Sequence, residues 1–157
     1  MNYIIQDSSL LKKISSLNLS IPESITFLPE NIETVDNESE LIFADSTIDI
    51  RKLFRLNSVE TADLIPISKS YNRKAADFYG PAIFISLSML SENPNVVSIA
   101  LNLLSSYIYD RFKGATGSKK VKLEIYVETK KNKTVKKIIY DGDVSELDKL
   151  KDIIKTL

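Results

Sequence analysis

The densest cluster of chemically capable groups in this 157-residue chain is Asp141-Gly142-Asp143, with Glu146 and Asp148 close behind. Neighbouring carboxylates can hold Mg²⁺ or Ca²⁺ through oxygen, but in an EF-hand loop the alternating ligands precede the glycine, and here they do not. A turn followed by a helix cap accounts for the same residues, so no metal site is expected. A second acidic run, Glu30 to Glu40 (ENIETVDNESE), reads as a loop between strands that could attract a cation or a basic partner. Arg73, Asp77, Tyr79 and Arg111 form a candidate polar site, for which an internal ion pair or a surface array is the plainer account. Lys130, Lys131, Lys133, Lys136 and Lys137 make a basic hairpin, with Tyr126 and Tyr140 nearby in sequence. Such a surface could track a phosphate backbone, although it lacks arginine for bidentate readout and lysine commonly guards sheet edges.

Composition narrows this list. The chain has no histidine and no cysteine. That removes Ser-His-Asp triads, Cys-His pairs, thiolate or imidazole metal sites, and an imidazole base tuned near neutral pH. Carboxylate chemistry, lysine chemistry and oxygen-ligated divalent ions survive. Only four glycines are present, too few and too scattered for a phosphate-cradling loop. Net charge is zero but uneven: residues 1–66 carry 5 basic and 11 acidic groups (net −6), and residues 113–157 carry 12 and 7 (net +5). Opposed charge of this kind favours complementary partners, though a solvated surface is its commoner meaning.

Positioning these groups requires a core, and Asn93 to Gly114 (NPNVVSIALNLLSSYIYDRFKG) is its clearest element. Asn93 suits an N-cap and Pro94 the first helical position, while Gly114 suits the position after the last turn. Ser98, Asn102, Ser105, Tyr109 and Lys113 form one polar stripe, and apolar residues cover the other faces, which predicts a nearly buried helix. The apolar run is too short and too interrupted to span a bilayer.

Elsewhere, Leu10, Leu11, Ile14 and Leu17 predict a short helix capped by Ser8 or Ser9. Ile25 to Leu28, between Pro22 and Pro29, predicts an edge strand, and Leu41 to Ala44 a second strand. Ser46 and Asp49 have capping-box spacing ahead of a helix carrying Ile50, Leu53 and Phe54. Asn72 to Tyr79 is weakly helical. Residues 82–91 fit either periodicity, and Pro81 favours a helix that would form a hairpin with the central one. Residues 115–120 read as a mobile linker. Val121, Leu123, Ile125 and Val127 then alternate with polar residues as the first strand of a hairpin that returns over Thr134 to Tyr140. Asp143 and Glu146 open a last helix lined by Leu147, Leu150, Ile154 and Leu157. The prediction is one α+β domain over residues 1–157, with a mainly antiparallel sheet on a central buried helix and a C-terminal β-hairpin plus helix.

The order of Tyr107-Ile108-Tyr109-Asp110-Arg111-Phe112-Lys113-Gly114, a charged linker, Val121-Lys122-Leu123-Glu124-Ile125, Lys137-Ile138-Ile139-Tyr140-Asp141-Gly142 and a short leucine helix from Leu147 resembles small accessory components of bacterial conflict (anti-phage defence) systems. The resemblance covers roughly the C-terminal half and rests on pattern rather than on catalytic residues. It implies a non-enzymatic adaptor or regulator that contacts a larger effector or sensor protein. The expectation is therefore a cytoplasmic, non-catalytic protein-binding component with no cofactor, no membrane segment and no leader peptide. Exposed Tyr71, Tyr79 and Tyr109 are its candidate anchors. The alternatives are a nucleic-acid-binding module using the lysine hairpin and a small carboxylate- and metal-dependent enzyme.

Overall fold

The structure is a computed structural model that describes residues 3–66, 70–71, 78–113, 120–129 and 134–157. Its strands are β1 (Tyr3–Ser8), β2 (Ile25–Leu28), β3 (Phe43–Ala44), β4 (Thr61–Asp63), β5 (Ser70–Tyr71), β6 (Phe78–Ile85), β7 (Lys120–Glu128) and β8 (Val135–Asp143). Its helices are α1 (Leu10–Ser16), α2 (Thr47–Leu56), α3 (Leu87–Glu92), α4 (Pro94–Phe112) and α5 (Lys149–Lys155). Six strands form one sheet in the order β1-β8-β7-β6-β2-β4, and β3 pairs with β5 separately. The pairs β1–β8, β8–β7 and β6–β2 are antiparallel, whereas β7–β6 and β2–β4 are parallel. The fold is α+β, as the sequence predicts.

The hairpin β7–β8 forms the centre of the sheet together with β6. Lys120 opposes Asp143 and Glu128 opposes Val135 in an unbroken antiparallel register. Residue 120, assigned to a linker from composition, is the first residue of β7; residues 114–119 lie outside the described residues. The parallel pairing of β6 with β7 requires a crossover, and α3 and α4 supply it.

The crossover settles the ambiguous segment. Residues 78–85 are strand and residues 87–92 are helix, so both periodicities are present in succession. Gly80 and Pro81 lie inside β6, not at a helix start. The register between β6 and β7 shifts between Tyr79 and Ala82, and such an irregularity tolerates a proline that a regular ladder would not. Gly80 also sits so close to β7 that a Cβ there would fall 1.9 Å from Leu123 Cδ2. Ser86 caps α3, its Oγ accepting from Met89 N at 3.3 Å, and Leu87 N donates to Glu128 Oε1 at 2.9 Å. Of the capping residues read from sequence, Ser8 accepts from Leu10 N at 3.2 Å at the start of α1, and the others behave differently. Neither Ser9, Ser46, Asn93 nor Asp143 makes a side-chain cap bond. Ser46 Oγ instead donates to Tyr79 O at 3.4 Å, tying α2 to β6.

Both faces of the sheet are covered, the second only in part. On one face, Ile50 and Phe54 of α2, Val97, Ala100, Leu101, Leu104 and Ile108 of α4, and Leu150, Ile153 and Ile154 of α5 pack on inward residues of β2, β6, β7 and β8. On the other, Leu10 and Ile14 of α1 join Leu28, Ile32, Val35, Leu41, Phe84, Tyr126 and Val135. Three expectations change as a result. α1 and the acidic loop cover the second face of β7 at its far end, so Tyr126 is fully buried although alternation places it outside. β2 is an interior strand between β6 and β4, not an edge. The acidic run is a packed loop: Ile32 and Val35 are buried, and Asn31 closes it by accepting from Ile42 N and donating to Glu40 O, both at 2.9 Å.

The central helix packs through a narrower stripe than its composition predicts. Val97, Ala100, Leu101, Leu104 and Ile108 are buried, Val96, Leu103, Tyr107 and Phe112 are half-buried, and Ile99 is 45% exposed. A helix lying on one sheet face buries only the arc it turns towards that sheet, and α2 and α5 flank the rest incompletely.

Candidate functional site

The second face is only partly covered. Beyond α1 and the acidic loop it opens into a groove of about 450 Å³, lined among others by Glu30, Glu33, Tyr79, Lys122, Glu124, Lys137 and Asp141. Strand alternation builds it. Lys122 and Glu124 of β7 and Lys137 and Ile139 of β8 point to the same side, and the loop after β2 brings Glu33 over them.

At the inner end Lys137 is the hub. Its side chain is only 11% exposed; it pairs with Glu33, lies 3.5 Å from Glu124 Oε2, and stands 5.4 Å above the Tyr126 ring centroid. Tyr126 Oη donates to Glu33 Oε1 at 2.5 Å and lies 3.4 Å from Glu124 Oε2. Burial by itself would raise the Glu33 pKa. The bonds from Lys137 and Tyr126, with the lysine charge, outweigh it and hold the carboxyl below its ordinary range. Burial, then Glu33 and Glu124, push the Tyr126 phenol far up, so it stays a neutral donor. At the outer end Lys122 Nζ lies 3.4 Å from Tyr79 Oη and 5.1 Å from its ring centroid.

This arrangement relocates several candidate residues. Lys136 and Lys137 are consecutive in a strand and point to opposite faces, so they cannot share one basic surface. Lys136 pairs with Asp7 of β1, and Lys137 is largely buried against Glu33. Lys130, Lys131 and Lys133 lie outside the described residues. Tyr126 and Tyr140 are both buried, on opposite faces, and offer no stacking platform; burial, with Glu146 and Asp143, pushes the Tyr140 phenol up to about 12. Of the polar group Arg73, Asp77, Tyr79 and Arg111, the first two lie outside the described residues. The other two are apart: Tyr79 is in the groove, and Arg111 stands over the Phe78 ring at 5.6 Å.

The acidic cluster near the C-terminus is dispersed. Asp141 lines the groove, Glu146 and Asp143 act on Tyr140, and Asp148 acts on Tyr109. Among the described residues no three carboxylates converge as metal ligands. Of the three tyrosine anchors, Tyr109 is 38% exposed, Tyr79 is half-buried in the groove, and Tyr71 is described only as the backbone partner of Ala44. Sequence reading missed Glu33 and Glu124 altogether. Their signal was faint: Glu33 sat in an acidic run read as a loop between strands, and Glu124 was one polar position of an alternating strand.

Exposed apolar side chains mark two other regions. Ile48 and Leu56 of α2, with Ile99 and Tyr109 of α4, are exposed on the helical layer, and Ile4 and Ile5 are exposed on β1. Tyr107 Oη lies 3.5 Å from Asp49 Oδ2, which joins α4 to α2 on the flank opposite Tyr109. No helix among the described residues is long and apolar enough to cross a membrane. No family model, characterised protein or solved structure matches this chain in a scan of families and searches of proteins and structures.

Proposed function

We propose that this chain is a non-catalytic, cytoplasmic protein-binding component that docks on a larger effector or sensor, as the resemblance of its C-terminal half to bacterial defence accessories implies. The observation that carries the reading is the exposure of Ile48, Leu56, Ile99 and Tyr109 on the helical layer. Exposed aliphatic and aromatic side chains on a well-packed helix pair are the groups from which interface anchors are made. The groove adds support from the other side. Its inner charged groups are bonded to one another, so Lys137 and Glu33 neutralise each other instead of standing poised as base and nucleophile.

The test uses the tagged full chain, recovered from its native host beside the variants Ile99→Ser, Leu56→Ser and Tyr109→Ala. The expected result is one larger protein recovered in stoichiometric amount with the parent chain and depleted by the variants, whose thermal melts stay close to the parent's. Full retention of the partner by all three variants, or substrate turnover by the purified chain with Mg²⁺, overturns the reading.

A further inference from the structure

Among the described residues, the two edges of the sheet are built differently. β4 is three residues long and ends in Asp63, whose carboxylate is held by Arg51 at 2.5 Å. A strand this short offers a neighbour little to pair with. β1 is six residues long, and its sequence YIIQDS contains no lysine, proline or glycine with which edges are usually blunted. Ile4 is 62% exposed and Ile5 is 40% exposed. As consecutive strand residues they point to opposite faces, so the edge is apolar above and below the sheet. The only charge on β1, Asp7, is paired with Lys136 of β8.

We infer that β1 pairs antiparallel with β1 of a second copy of this chain, about a two-fold axis at Ile5, joining two six-stranded sheets into one. This inference is independent of the docking reading above. A two-fold axis normal to the sheet keeps the helical layers of both copies on one side, and residues opposite each other must then share a face. With the axis at Ile5, Ile5 opposes Ile5, Ile4 opposes Gln6 and Tyr3 opposes Asp7. That register uses every residue from 3 to 7, buries the aliphatic centre and sets a phenol donor opposite a carboxylate at each end. No like charges meet, which matters because directly opposed like charges destabilise a strand pair. An axis at Gln6 would set Ile5 against Asp7, and one at Ile4 would pair only residues 3–5 of the strand. A chain of zero net charge adds no long-range repulsion between the copies.

Sedimentation velocity on the full chain should give twice the mass of one copy, falling to one copy in Ile5→Lys and in Ile4→Lys with circular dichroism unchanged. The absence of cysteine supplies a second measurement that does not depend on a disruptive change. Ile5→Cys should cross-link to a covalent dimer with a short bis-maleimide, while Ser106→Cys, exposed on α4, should stay single-chain. A parent chain that sediments as one copy overturns the inference. So does a dimer that persists in the folded lysine variants, or an Ile5→Cys chain that cross-links no faster than Ser106→Cys.

Discussion

Three side chains govern the inner groove, and each depends on the other two. Lys137 is the cation, Glu33 the anion, and the buried Tyr126 hydroxyl completes the shell of the anion. Removing Glu33 leaves Lys137 and Tyr126 partly dehydrated, with only the longer contacts to Glu124 at 3.5 and 3.4 Å. Glu33→Gln should therefore destabilise the fold by about 1–3 kcal/mol at neutral pH, a range set by the cost of an unsatisfied polar group in a partly exposed site. The sign of the pH effect follows from linkage. The Glu33 pKa is lowered in the folded state, so its contribution is present above the unfolded-state value and fades as pH falls through the folded one. Urea denaturation of both proteins across the acid range should show the gap between parent and Glu33→Gln closing as pH drops. A gap that is constant with pH would assign the loss to shape, not to charge. None of this was legible in the sequence, because Glu33, Glu124 and Lys137 lie far apart along the chain and meet only through strand register and a loop.

At the level of elements, α4 is the most strongly specified piece of the chain, and its packing distinguishes residues that composition treats alike. Leu104 is 1% exposed and packs on the sheet, while Ile99 is 45% exposed on the same helix. Leu104→Ala should cost about 2–5 kcal/mol, the range for deleting a buried leucine side chain and leaving a cavity. Ile99→Ala should stay within about 0.5 kcal/mol, as surface substitutions do. Chemical denaturation of both variants measures the difference, and equal losses would mean that the helix is buried all round. The helix itself was readable from its apolar density and from Pro94. The burial of one arc was not, because it depends on where the sheet, α2 and α5 approach. β6 shows the converse: a proline that argues for a helix start was overruled by pairing on both sides, with β7 and β2.

The whole molecule places two hydrophobic clusters on opposite faces of one sheet, with β2, β6, β7 and β8 contributing to both. Strands shared in this way couple the layers, because losing either cluster exposes apolar backs of the same strands. Unfolding should be a single two-state transition. The chain has no tryptophan, so tyrosine fluorescence and far-ultraviolet circular dichroism are the available probes, and their urea transitions should coincide. Separate midpoints would show that α1 and the acidic loop come off before the helical layer. Partial coverage of the second face explains why Tyr126 was misplaced by alternation: period-two reading assumes one wet face, and α1 and the acidic loop bury that face of β7 at Tyr126.

Local pattern therefore established the α+β class, the α4 helix and the β7–β8 hairpin, and the absence of histidine and cysteine excluded imidazole and thiolate chemistry. These follow from short-range physics: side-chain spacing along one element, proline's fixed geometry and the groups a chain does or does not possess. Strand order, the interior place of β2, the strand-then-helix course of residues 78–92 and the Lys137–Glu33–Tyr126 network came only with folding. Each depends on contacts between residues distant in the chain, and an apolar run or a lone glutamate carries no local record of the partner that it will meet.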